Sequence, residues 1–317
     1  MKRYRSIEEV PMTATHRAVA IGAFDGVHLG HSEIIRIAVD SASRRGMSSM
    51  VVTFDPNPLA VLRPEFKTTV LTSSELRARL IEAQGVDELL EIPFTQAFSH
   101  IDWDRFCEML VTPPISSQTI AVGRNFRFGH GGVGTAGMLR DAGRQRGIDV
   151  QIPGLVTSSD GKPISSTRIR RLIAQGDIAD ANTLLGRAHC LDGTVIHGDG
   201  RGAGLGIPTA NIAVSGRAAI PGRGVYAGVV TIGGSTWSAA INVGMAPTFR
   251  DAHDIRVEAL LIDYPGGDLY GKRASVAFLE YLRGETRFAS ADALVAQITK
   301  DVARARALTA GAANPLC

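Results

Sequence analysis

Short apolar runs alternate with stretches of helical periodicity through the first half of the chain. Arg17–Ile21, Met50–Phe54, Glu88–Ile92, Thr119–Val122 and Val150–Ile152 read as strands, and Ser32–Ala42 and Thr72–Ala83 as helices. Thr72 with Glu75 has the spacing of a capping box ahead of Leu76, Leu80 and Ile81. Strands alternating with helices predict a parallel sheet covered by helices. From about Gly193 the texture changes to β-rich runs, Ala227–Ile232, Trp237–Ile241, Val257–Leu261 and Ala274–Leu279, separated by turns bearing Gly and Pro. These predict a small antiparallel barrel. A last helix follows, with Ser290 as N-cap, Asp292 in its first turn, and Leu294, Ile298 and Val302 on one face. The change of pattern puts one domain at residues 1–186 and a second at 187–317.

Composition narrows the class. A chain of 317 residues exceeds the size at which one core stops growing, so two domains are the natural reading. With 44% hydrophobic and 21% charged residues it is a globular and not a disordered chain. No apolar run reaches the roughly 20 residues that span a bilayer, and MKRYRSIEEV lacks the apolar core of a signal peptide. The expectation is a cytoplasmic protein without membrane contact. Cys107, Cys190 and Cys317 have no framework spacing and read as thiols. A net charge of +3 without a basic block argues against nucleic acid and leaves small molecules as the partners; an oligomer is possible but not predicted.

Two constellations carry chemistry. In GAFDGVHLGH (Gly22–His31) a strand runs into a loop whose Gly22, Gly26 and Gly30 allow close backbone approach, and a helix begins at about His31. Loops at the carboxyl edge of such a sheet, ending on a helix N-terminus, bind phosphates. His28 and His31, three apart, bring both imidazoles to one point, suited to charge building up on a phosphate. The same letters would also suit a glycine-rich turn with structural histidines. In ISSTRIR (Ile164–Arg170), Ser165, Ser166, Thr167, Arg168 and Arg170 precede a helix running to about Gln175, an arrangement that fits a triphosphate or simple N-capping. The second constellation is the glycine-rich GTVIHGDGRGAGLGIPTAN (Gly193–Asn211), whose loop, including Gly202 and Gly206, can fold over phosphates. Thr209 and Asn211 offer hard oxygen ligands to Mg²⁺. Glu258 stands in the apolar strand Val257–Leu261, on the face of Leu260 and opposite Val257 and Ala259, where one reading has it facing the barrel mouth.

The decamer resembles the nucleotidyltransferase signature ending in His-x-Gly-His, in the form found in prokaryotic bifunctional FAD synthetases. FDPNP (Phe54–Pro58), VGRNFRFG (Val122–Gly129), ISSTRIR and LLGRAH (Leu184–His189) match that family in order, and PGRGVYAG, INVGMAPTF, VEALLID and DLYGK match its flavokinase half. The resemblance implies a doubly wound, Rossmann-like α/β nucleotidyltransferase domain followed by the riboflavin kinase barrel. It also implies ATP as substrate, Mg²⁺, and riboflavin, FMN and FAD as substrates and products. ATP would meet Gly22, Phe24, Asp25, His28, Gly30, His31 and Asn125; flavin would meet Phe54, Asn57 and Phe126; Glu258 would be the general base of the kinase. The family commonly has His where Asn57 stands and often Asn where Ala23 stands. These departures leave open a variant with one silent site or altered preference, or a flavin-binding regulator without catalysis.

Overall fold

The structure, a computed structural model, describes residues 1–12, 16–66, 68–198, 207–245 and 255–311. Its contacts divide into two compact units, Met1–Val70 with Ser74–Ser165, and Leu71–Ser73 with Ser166–Cys317.

The first unit contains β1 (Lys2–Tyr4), β2 (Arg17–Ile21), α1 (Leu29–Arg45), β3 (Ser48–Asp55), α2 (Pro58–Leu62), α3 (Ser74–Glu82) and β4 (Glu88–Pro93). It continues through α4 (Trp103–Val111), β5 (Ser117–Val122), the small ribbon of β6 (Arg127–Phe128) and β7 (Gly134–Thr135), α5 (Ala136–Gln145) and β8 (Asp149–Gln151). Six strands form one parallel sheet in the order β1-β4-β3-β2-β5-β8. Every residue of β2 is buried, as a strand covered on both faces requires. Val19, Ile21, Met50, Val52, Ile120 and Val122 pack with Phe106, Leu110 and Leu139 into one core. The chain runs from β2 outward to β3 and β4 and then across to β5 and β8. Strands β2 and β5 therefore flank the switch point, where the loops at their carboxyl ends part and leave a crevice.

Three local readings change. Helix α1 opens at Leu29, before His31, and ends on the left-handed Gly46. Helix α3 opens at Ser74, two residues after Thr72, and the Glu75 carboxylate accepts from Arg3 at 2.8 Å. Strand β1 has no apolar run to announce it; it is held at the edge by pairing with Glu88–Leu90 and by the Arg3–Glu91 ion pair of 2.5 Å.

The second unit begins with α6 (Ser166–Gln175) and α7 (Ile178–Leu185). It continues with β9 (His189–Ile196), β10 (Ala210–Val214), β11 (Gly224–Ile232), β12 (Ser235–Met245), β13 (Ile255–Leu261), β14 (Arg273–Arg283) and α8 (Ala291–Thr309). Its strands close an antiparallel barrel in the order β10-β13-β12-β11-β14-β9. One parity of residues fills the barrel: Tyr226, Ile241, Val257, Ala259 and Phe278 are fully buried, and Tyr226 meets Phe278 edge-on at 5.5 Å. The other parity faces α8, where Val225, Ala227, Ala240 and Leu282 pack with Leu260, Val302 and Ala305. A helix does not fit inside six strands, so this is the outer wall. Ser290 caps α8 as its sequence predicts, its hydroxyl accepting from the Ala293 N–H at 3.2 Å. Cys107 is a buried thiol whose pKa burial pushes up to about 11. Cys190 is buried, with its Sγ 3.6 Å from the Ala188 carbonyl.

Candidate active site

At the end of β2 the Gly22 N–H donates to the Val52 carbonyl at 3.2 Å, and the chain then leaves the sheet. The loop that follows bends sharply, with φ of +46° at Phe24, +88° at Gly26 and +38° at Val27. Positive φ at a β-branched residue is uncommon and costly, and such strain collects at functional sites. A turn closed by Val27 N–H to the Phe24 carbonyl at 3.1 Å holds it. Phe24, Asp25, Val27 and His28 are all buried.

His28 is the N-cap of α1, and its Nδ1 accepts from the His31 N–H at 3.3 Å. An accepting Nδ1 places the ring proton on Nε2. The His28 and His31 rings stack with centroids 3.6 Å apart, and Phe24 meets His31 edge-on at 5.3 Å. A Cβ on Gly30 would come within 3.2 Å of His28 Cε1 and 3.8 Å of the Ile164 carbonyl. Glycine there leaves room for the ring, and Ile164, with Ser165 next to it, lies beside the first turn of α1. The structure thus gathers Gly22, Phe24, Asp25, His28, Gly30 and His31 on one positive helix end at the switch point, an arrangement suited to phosphates. Asn125 follows β5 in a turn closed by Phe126 N–H to the Gly123 carbonyl at 3.0 Å, and its Oδ1 folds back over Gly123. Ser166, Thr167, Arg168 and Arg170 lie inside the opening turns of α6, in the second unit, and not ahead of the helix as their spacing suggested.

Phe54 and Phe126 line one cavity of about 170 Å³ in the first unit, with Phe94, Phe98, Phe106 and Phe128. Their rings make mostly edge and tilted contacts, such as Phe54 to Phe94 at 5.6 Å. Asn57 does not line it: its Oδ1 caps α2 by accepting from the Leu59 N–H at 3.0 Å. The four further phenylalanines have no joint signal in the sequence, because single aromatics in separate elements carry no common pattern.

In the second unit a cavity of about 340 Å³ opens between the barrel wall and α8, lined by Thr209, Asn242, Glu258, Arg283, Phe288 and Asp301 among others. Cross-strand pairing sets Asn211 beside Glu258 and Glu258 beside Asn242 in one row. Glu258 shares its face with Leu260 as alternation predicts, but that face is the outer wall under α8 and not the mouth. The interior is already filled by Val257, Ala259 and Ile241, where a carboxylate would be costly. Thr209 and Asn211 are two residues apart at the start of β10, and a Cβ on Gly198 would lie 2.1 Å from Asn211 Nδ2, so only glycine lets that amide seat. Among the described residues no three His, Cys, Asp or Glu side chains are grouped to hold a metal. A Mg²⁺ that arrives with ATP phosphates needs only one or two protein oxygens, which Thr209 and Asn211 fit. Gly202 and Gly206 lie outside the described residues, as does part of INVGMAPTF.

Arg283 crosses this cavity wall. Its Nε and Nη2 donate to Asp301 at 2.9 and 2.8 Å, and its guanidinium sits 5.6 Å from the Phe288 ring. His189 of LLGRAH is fully enclosed; burial, against the hydrogen bond to the Ala219 carbonyl and with the nearby Arg187, pulls its pKa down to about 4. It is a neutral structural residue. Desolvation lowers the pKa of half-buried Arg187 to about 10.

Comparisons with known proteins match two family models in succession along the chain. The FAD synthetase family model covers residues 10–168 and the riboflavin kinase model residues 185–309. A bifunctional riboflavin kinase/FMN adenylyltransferase from Pseudomonas fluorescens is 37% identical, over 93% of this chain and 93% of its own. One from Listeria monocytogenes is 35% identical over 94% of each. A solved structure described as a macrolide-efflux protein from Streptococcus pneumoniae is 30% identical and superposes with a TM-score of 0.85 over 96% of this chain and 98% of that one. The efflux description belongs to that protein; among the described residues here no helix is long and apolar enough to cross a membrane. With two ordered family models and relatives of this identity along almost its whole length, the chain belongs to the family of bifunctional riboflavin kinase/FMN adenylyltransferases.

Proposed function

We propose that FMN is adenylylated at the loop after β2 and that riboflavin is phosphorylated in the cavity under α8, within domains 1–186 and 187–317 respectively. The two activities are those of the family, riboflavin kinase and FMN adenylyltransferase. In the kinase step the ribityl 5′-hydroxyl oxygen attacks the γ-phosphorus of ATP, its proton passes to the Glu258 carboxylate, and ADP leaves. In the second step an FMN phosphate oxygen attacks the α-phosphorus of ATP and pyrophosphate leaves, with no covalent protein intermediate. The α1 N-terminus and the His28–His31 pair hold the charge that develops there. Gly22, Phe24, Asp25, Gly30 and Asn125 shape the nucleotide site, and Ser165, Ser166, Thr167, Arg168 and Arg170 bind its phosphates. Phe54 and Phe126, with Asn57 nearby, accept the isoalloxazine ring. Thr209 and Asn211 would hold Mg²⁺, which when bound neutralises phosphate charge; Gly202 and Gly206 belong to the loop over the kinase phosphates. A cytoplasmic enzyme fits these substrates.

The observation that carries the adenylyl assignment is the stacked histidine pair on the capped N-terminus of α1, at the sheet's switch point. The test is to supply riboflavin, ATP and Mg²⁺ and separate the flavins. His31→Ala is expected to spare FMN formation and stop FAD; Glu258→Ala is expected to slow FMN formation and leave FAD formation from supplied FMN intact. Loss of both activities in both folded variants would refute the two-site assignment.

A further inference from the structure

Position 23 departs from the family pattern, yet the loop that carries the histidine pair is held there by its main chain. Thr53 lies on β3, one residue past the Ile21–Val52 pairing that ends the contact with β2, and is fully buried. Its hydroxyl donates to the Ala23 carbonyl at 3.1 Å. Ala23 is followed at once by Phe24 in its left-handed conformation, whose ring folds back against Gly22 and meets His31 edge-on. Thr53 is therefore joined to the imidazole pair by a short chain of rigid contacts: hydroxyl to carbonyl, carbonyl to a strained φ, and ring to ring. We propose that Thr53 is a positioning residue for adenylyl transfer, fixing the Ala23 carbonyl so that Phe24 keeps His31 against His28. The inference rests on reading this loop as the adenylyl site.

Thr53→Val keeps the shape and removes the donor, leaving the half-buried Ala23 carbonyl without this partner. Catalytic geometry is sensitive to small displacements, so kcat for FAD formation from FMN and ATP is expected to fall about tenfold or more, with KM for both substrates within about twofold. Thr53→Ser restores the hydroxyl and is expected to recover kcat to within about threefold. FMN formation by the same preparations should be unchanged, and an unshifted thermal melt together with the rescue by serine distinguishes positioning from loss of structure in the first unit. Should valine not be accommodated, as judged by thermal melting, Thr53→Ala repeats the test without the second methyl. A folded Thr53→Val or Thr53→Ala enzyme with parental kcat, or a serine variant as slow as the valine one, overturns the positioning role. If instead His31→Ala makes FAD at the parental rate, the reading of the loop itself fails.

Discussion

Replacing Asp301 by Asn tests whether the outer wall of the kinase cavity depends on one charge. Asp301 is 5% exposed and accepts from Arg283 Nε and Nη2 at 2.9 and 2.8 Å and from Gln297 Nε2 at 2.9 Å. Asparagine keeps the shape but removes the negative charge and turns one acceptor into a donor facing the guanidinium. Breaking a buried pair by removing one partner costs about 3–5 kcal/mol. The Arg283 side chain is 22% exposed, so water takes up part of that cost and about 2–3 kcal/mol is expected. For a unit of this size the loss lowers the melting temperature by about 4–12 °C. The chain has two tryptophans, Trp103 in the first unit and Trp237 on β12, so Trp103→Phe leaves a single fluorescent reporter in the barrel. Urea and thermal unfolding of that background, with and without Asp301→Asn, gives the difference directly. FAD formation from supplied FMN should be unaltered, and the KM for riboflavin should rise. A change in barrel stability below about 0.5 kcal/mol, the range of ordinary surface substitutions, would refute the reasoning.

Glu258→Gln is expected to lower kcat for FMN formation by about 10²–10⁴, the usual share of a general base, measured by separating the flavins at saturating ATP. His189 has a folded pKa of about 4 against 6.5 when unfolded, so the unfolded chain binds the extra proton between those values and the barrel loses about 3 kcal/mol as pH falls from above 6.5 to 4. A pH series of urea midpoints should show this fall in the parent and a flatter curve in a folded His189→Gln variant; parallel curves would reject it. A Cβ at Gly228 would lie 2.2 Å from the Ala277 carbonyl and 2.5 Å from Ile241 Cδ1, so Gly228→Ala should destabilise the barrel by about 1–3 kcal/mol or more, read as a lower midpoint at Trp237.

Some of this was legible in the residues and some was not, for definite reasons. Gly22–His31 could be read because its information is local: glycines for a tight loop and two histidines one helical turn apart. The helix start was displaced because His28 itself supplies the cap, a role usually filled by Ser, Thr, Asp or Asn. For Glu258, alternation gave the parity of the strand and not its direction, since both parities of β13 are covered here, one by the barrel core and one by α8. Arg283 and Asp301 lie on separate elements, as do the phenylalanines around Phe54; only the closed sheet and the packed helix bring them together. The Thr53 hydroxyl was invisible for the same reason, because its acceptor is a main-chain atom thirty residues away.

The position of Glu258 on the outside of the barrel has a consequence for how the kinase can change. The barrel interior is solid scaffold, and Thr209, Asn242 and Glu258, which on the proposed reading face the phosphates and the reacting hydroxyl, stand on its exterior. Opposite them, Leu294, Ile298 and Asp301 come from α8, a roof laid on afterwards by a separate stretch of chain. Chemistry and recognition are thus carried by different pieces. On the proposed reading, residues on the roof can be exchanged to admit a differently substituted ring while the floor keeps the row of Asn211, Glu258 and Asn242, a modularity that a site buried inside the barrel would not allow.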